Sequence, residues 1–147
     1  MTAEERRAEL FDRYDNTALE TGIRLQGEFF LRVVDELDQL DPSFVDPWLR
    51  YIYTNIYNRG VLDDKTRVLV IIGECCVLDE DVQLPNHIRT ALRVGATPQE
   101  ILEVILQSAV YAGNPKMVKA MRAYSKLMGE LGLLELSPSP FRQDLRD

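Results

Sequence analysis

Eleven residues constrain this chain more than any others: Val68-Leu69-Val70-Ile71-Ile72-Gly73-Glu74-Cys75-Cys76-Val77-Leu78. Glu74 is the only charge in the run. A helix that is apolar nearly all round has to be covered by other elements and is usually central. The β-branched residues make a strand the competing assignment. Sixteen residues from Asp63 to Leu78 without a turn signal favour a helix, with Asp63 as its cap.

The flanking sequence supplies amphipathic helices to cover it. Residues 3–15 read as a short polar helix. From Ile23 to Leu40, Phe29, Phe30, Val33, Val34, Leu37 and Leu40 recur at helical steps, and Asp41-Pro42 ends the pattern. Asp46-Pro47 opens the next helix, with Val45, Trp48, Ile52 and Ile56 on one face and Tyr53 and Tyr57 on a second. Asn58-Arg59-Gly60 breaks the chain before the apolar helix, and the acidic Asp79-Glu80-Asp81 follows it. Pro85 starts a helix that stops at Gly95. Thr97-Pro98-Gln99-Glu100 carries a capping box, leading into Ile101, Leu102, Val104, Ile105, Ala109 and Val110. Asn114 caps a last helix running to about Leu131. No strand pair or repeat intervenes. The expectation is an all-α, single-domain bundle of about six to seven helices. Residues 1–40 form an N-terminal helical extension packed on the core, 41–134 the core domain and 135–147 a loosely held C-terminal tail.

Composition narrows the partners. Of 147 residues, 46% are hydrophobic and 28% charged, a globular balance, and the net charge is −7. A negative surface repels phosphate backbones and anionic lipid, which argues against nucleic acid and membrane as partners. No stretch is long and apolar enough for a membrane helix, and Met1 to Arg13 lacks the layout of a signal peptide, so a cytoplasmic protein is expected. The two cysteines, Cys75 and Cys76, are adjacent, too close for good disulfide geometry. They read as small buried apolar side chains.

Few residues suggest chemistry. Arg67 and Glu74, seven apart on the apolar helix, point nearly the same way, roughly 10 Å apart along its axis. Each needs a partner, a pocket or a route to solvent. His87 is the only histidine, two residues after Pro85; a helix N-terminus favours its neutral form, which suits a general base. Taken alone, a single histidine is more often a hydrogen-bonded packing residue. Tyr51, Tyr53 and Tyr57 near Arg59 suit either a pocket for a planar anion or a core. One histidine and two adjacent cysteines make no convincing metal set, and no glycine-rich phosphate loop or nucleophile elbow is present.

Three blocks in unbroken order resemble a known family. Leu62-Asp63-Asp64-Lys65-Thr66-Arg67-Val68-Leu69-Val70 is similar to its L-D-x-K/R-T-R-x-L-V helix start. The stretch from His87-Ile88-Arg89-Thr90-Ala91-Leu92 through Gly95-Ala96-Thr97 to Glu100-Ile101 is similar to its histidine signature, and Ala109-Val110-Tyr111-Ala112-Gly113-Asn114-Pro115 to its A-x-Y-A-G-x-P segment. Over about residues 45–130 the chain resembles the carboxymuconolactone decarboxylase family, within the alkylhydroperoxidase D-like superfamily. The peroxidase branch of that superfamily carries C-x-x-C just before the histidine; here those places hold Glu80 and Gln83, which argues against a dithiol peroxidase. The resemblance implies a decarboxylase that needs no cofactor and acts on a small carboxylated lactone. It implies His87 as acid/base, Glu74 as its partner or second acid/base, and Arg59 or Arg67 as the carboxylate anchor, with Tyr53, Tyr57 and Tyr111 also binding substrate. Arg59 lies where the family commonly has Arg-Pro-Gly, and this chain has Asn58-Arg59-Gly60. Arg89 fits the signature but, two residues from His87, points elsewhere and reads as structural. A homotrimer or homohexamer is implied as well. An isomerase or cyclase on the same scaffold and a non-catalytic binding protein are the alternatives.

Overall fold

A computed structural model describes residues 1–134 of the chain, and the expected tail lies outside them. Among the described residues every regular element is helical. They are α1 (Ala3–Arg13), α2 (Asn16–Gln26), α3 (Glu28–Leu40), α4 (Pro42–Leu49), a π-helical turn (Arg50–Thr54), α5 (Asp64–Leu78), α6 (Gln83–Arg93), α7 (Pro98–Gln107), α8 (Ala109–Ala112) and α9 (Asn114–Glu130). None is long and apolar enough to cross a membrane. The residues cluster into two compact units: Met1–Ile71 with Arg89–Ala96, and Ile72–Ile88 with Thr97 onward.

The first unit is built by caps and glycines as much as by apolar faces. Thr2 and Glu5 close a capping box on α1 that sequence reading passed over. The expected Ile23–Leu40 pattern is two helices, because Gly27 stands at φ 66°, ψ −151°, a conformation essentially reserved for glycine. Gly22 lets the Phe30 ring lie against the backbone of α2, where an added Cβ would fall 2.2 Å from the ring. Asp41 ends α3 and also caps α4 through Ser43 N–H, so α4 starts at Pro42 rather than at Asp46-Pro47. Pro47 lies inside α4, and the π-turn follows it, with Asn55 N–H donating to Arg50 C=O at 2.8 Å. The wider turn shifts the register: Val45, Leu49 and Tyr53 form the buried stripe, and Tyr53 moves onto the core face, away from the second face expected for it. That stripe packs with Leu10, Ala18, Leu19, Phe30 and Val34 in one apolar cluster.

Beside that cluster, α1 is tied to α3 through Asp38. Its carboxylate is only 5% exposed and accepts from Tyr14 Oη, from Arg6 at 2.5 Å and from Arg13 at 3.0 Å. Burial works against the carboxylate, but the hydrogen bonds from Tyr14 and Arg6 and the charge of Arg13 outweigh it and hold Asp38 below its ordinary range. Arg6 also reaches Asp35 and Glu9.

In the second unit, Thr97 and Glu100 form the expected capping box on α7. Ser108 interrupts the apolar run that reads as continuous from Ile101 to Val110, its hydroxyl donating to Ile105 C=O. Gly113, not Asn114, occupies the cap position of α9, at φ 85° and without a side-chain hydrogen bond. Tyr124 Oη donates to Pro98 C=O, and Lys116 Nζ to the Val77 carbonyl near the end of α5.

Helix α5 shows where a purely local reading overreaches. Val68, Ile72, Cys75 and Cys76 are buried, the stripe that a period of 3.6 dictates. The open side is mixed, with Val70, Val77 and Leu78 exposed beside Glu74.

Candidate functional site

The sequence-selected residues fall in both units, and each group has its own geometry. In the first unit, Tyr53 is 5% exposed and belongs to the core. Its ring packs edge-on to Trp48 at 5.5 Å and tilted on Phe30 at 4.6 Å, and Gln26 Nε2 donates to its hydroxyl at 3.4 Å. Burial pushes the phenol well above its ordinary value, so Tyr53 stays neutral. Tyr57, half-buried, meets Tyr53 edge-to-face at 5.3 Å. Over the Tyr57 ring, 5.9 Å from its centre, stands the guanidinium of Arg67.

Arg67 is unusual among the arginines of this unit. Its Nε is buried and has no hydrogen-bond partner among the described residues. Leaving a buried donor unsatisfied costs about 1–3 kcal/mol, so such groups generally have an acceptor that is not part of the chain, whether water or ligand. Arg59 differs: it is exposed, in the turn that ends at Gly60. Tyr51 also points out to solvent.

In the second unit, His87 lies on α6 three residues after buried Leu84 and one before buried Ile88. The helix begins at Gln83, so Pro85 is its third residue and His87 belongs to the second turn rather than the first. Pro85 costs nothing there, because the first N–H groups of a helix lack intrahelical acceptors. His87 is half-buried, and burial lowers its pKa below the ordinary histidine value. The ring is therefore neutral at pH 7, for a different reason from the helix-end effect expected of it. Among the described residues no side chain is hydrogen-bonded or ion-paired to it. Glu74 is exposed, and neither a hydrogen bond nor an ion pair joins it to His87. Tyr111 is 95% exposed on α8.

The thiols are placed for packing. Cys75 and Cys76 are free and buried, and burial pushes the Cys75 thiol up to about 11. A thiol held protonated in this way is a poor nucleophile. Among the described residues no group of three or more His, Cys, Asp or Glu is arranged to hold a metal ion. Two participants escaped sequence reading: Gln26, on the Tyr53 hydroxyl, and Phe30, the floor of the aromatic stack. A polar residue at the end of an apolar helical stripe is the only signal for the first; the second stands in the apolar pattern of α3, and nothing local marks its contact with Tyr53.

Known proteins resemble the chain over much of its length. The profile of the carboxymuconolactone decarboxylase family matches residues 42–126. An uncharacterised 15.0 kDa protein of Paracoccus denitrificans is 34% identical over 96 residues, 64% of this chain and 72% of that protein. The 4-carboxymuconolactone decarboxylase of Acinetobacter baylyi is 28% identical over 102 residues, 69% of this chain and 76% of the enzyme. The nitrosuccinic acid decarboxylase of Metarhizium robertsii is 31% identical over 81 residues, 55% of this chain and 57% of that enzyme.

Proposed function

As this chain belongs to the carboxymuconolactone decarboxylase family, we propose that it is a carboxy-lyase that releases CO2 from a small carboxylated lactone without a cofactor. The observation that carries this reading is His87: half-buried, neutral, and without a partner for its ring among the described residues. A histidine serving packing alone ordinarily satisfies its ring nitrogens within the protein. Two of the relatives are named for decarboxylation, of different acids, which supports the reaction type more than any one substrate.

The chemistry asks little of the protein. When the C–C bond to the carboxylate breaks, CO2 leaves and the electron pair remains on the substrate carbon. An unsaturated lactone delocalises that pair into its carbonyl. One proton then completes the product, so each turnover consumes one proton and evolves one CO2. His87 carries that proton and is recharged from solvent. An arginine, Arg67 or Arg59, holds a carboxylate by paired hydrogen bonds. Glu74 acts as a second proton carrier from its exposed position rather than as a bound partner of the imidazole. Tyr53 and Tyr57 support the binding wall, and Tyr111 contributes from the end of α8.

Further copies of the chain complete the molecule as a homotrimer or homohexamer. The open side of α5 supports this, as do Val110 and Tyr111, which leave large apolar surface bare at 73% and 95% exposure.

The test is CO2 release from carboxymuconolactone and related lactone acids by the purified chain, with and without chelator and thiol reductant. Release insensitive to both, and reduced about 100-fold or more in His87→Gln, is the expected result. Turnover without gas points to an isomerase or cyclase, and no turnover of any lactone acid removes the lyase reading.

A further inference from the structure

We infer that Arg67, rather than Arg59, grips the carboxylate of the ligand, edge-on, with the Tyr57 ring behind it. This rests on the lyase reading only in taking the ligand to be a small organic carboxylate. The guanidinium is planar, and its two surfaces do different work: the face attracts a ring, while the rim carries every N–H. The Arg67 guanidinium stands over the Tyr57 ring, 5.9 Å from its centre. The rim donor nearest the chain, Nε, is buried and unsatisfied among the described residues. A carboxylate matches that edge, because its two oxygens accept from parallel N–H groups in the guanidinium plane.

Other arginines show what a structural role looks like in this unit. Arg24 donates from Nε and Nη2 to Asp64, Arg6 from all three nitrogens to Asp35, Glu9 and Asp38, and Arg50 from Nε and Nη1 to Asp46 and Asp15. Arg32 also stands over a ring, that of Phe29, but it is exposed. Among the described residues Arg67 alone combines a ring contact with a buried Nε that lacks an acceptor. Arg59 has neither feature and sits in an exposed turn. The aromatic backing also sets a preference: Tyr57 is braced edge-to-face by buried Tyr53, so it presents a fixed wall to a flat, apolar ligand body.

The experiment uses the full chain and benzoate, a flat carboxylate that the proposed reaction does not consume, with benzamide as its neutral counterpart. Heteronuclear NMR follows the arginine Nε–H groups, and Arg67→Lys identifies the Arg67 signal by its loss. Benzoate is expected to shift that signal saturably, and benzamide to leave it unmoved. Arg67→Gln should weaken benzoate binding by about tenfold or more, while Arg32→Gln retains the affinity. The assignment is overturned if the Arg67 signal stays fixed while benzoate binds, if benzoate does not bind saturably, or if Arg59→Gln abolishes binding and Arg67→Gln does not. Should Arg67→Gln fail to fold by circular dichroism, the wild-type signal and Arg67→Lys decide the matter. Benzoate binding through Arg67 without CO2 release from any lactone acid would end the lyase reading and leave this inference standing. CO2 release with unaltered KM in Arg67→Lys and a fixed Arg67 signal would do the reverse.

Discussion

At the scale of single residues, charge and burial make separable predictions. His87 has a folded-state pKa below the 6.5 of a free histidine because burial disfavours its charged form. As pH falls through 6.5, the unfolded chain takes up a proton before the folded one does. The folded state therefore loses stability over the window from 6.5 down to the lowered value, and the contribution is fully present above 6.5. His87→Gln cannot titrate, so its denaturant midpoint should fall less steeply than that of the wild type as pH drops through this window. Parallel curves for the two proteins would contradict the burial of the ring. Asp38 has the same sign in a lower range, since partners hold its pKa below the ordinary carboxylate value. Asp38→Asn removes the negative charge that faces Arg6 and Arg13 and replaces one of the two buried acceptor oxygens with an N–H donor, and should cost about 1–3 kcal/mol in chemical denaturation.

At the scale of helices, the joints matter more than the propensities. Gly22→Ala should destabilise the chain by about 1–3 kcal/mol, because the added methyl overlaps the Phe30 ring and a buried ring has little room to move. Thermal unfolding measures this, and an unchanged midpoint would show that Phe30 shifts freely. Sequence alone revealed most of the helices, because caps such as Asp63, Thr97 with Glu100, and the Gly95 stop are local signals. It missed the joints that depend on partners. Gly27 divides α2 from α3 within an unbroken apolar pattern, and the turn after Pro47 moves Tyr53 from a side face into the core. The candidate site was legible to a similar depth. His87 and Arg67 stand out by residue type and spacing. What distinguishes Arg67 from Arg59, a buried unsatisfied Nε on a tyrosine face, belongs to packing and leaves no trace in the order of residues. For Glu74 the sequence leaves a partner, a pocket or a route to solvent open, and the helix turns that residue outward.

At the scale of the whole molecule, α5 carries more apolar surface than one chain covers. If further copies meet this surface, native mass spectrometry at micromolar concentration should show trimers or hexamers, and Val70→Lys with Val77→Lys should shift them towards monomer. A wild-type monomer across that range would contradict the assembly. The account as a whole turns on a neutral imidazole that carries a proton to a decarboxylated carbon. The most direct measurement is CO2 evolved from carboxymuconolactone by metal-free, reductant-free protein, comparing wild type with His87→Gln at equal folded concentration. The account predicts stoichiometric CO2 from the wild type and a rate about 100-fold or more lower in the variant; equal rates in the two proteins would contradict it.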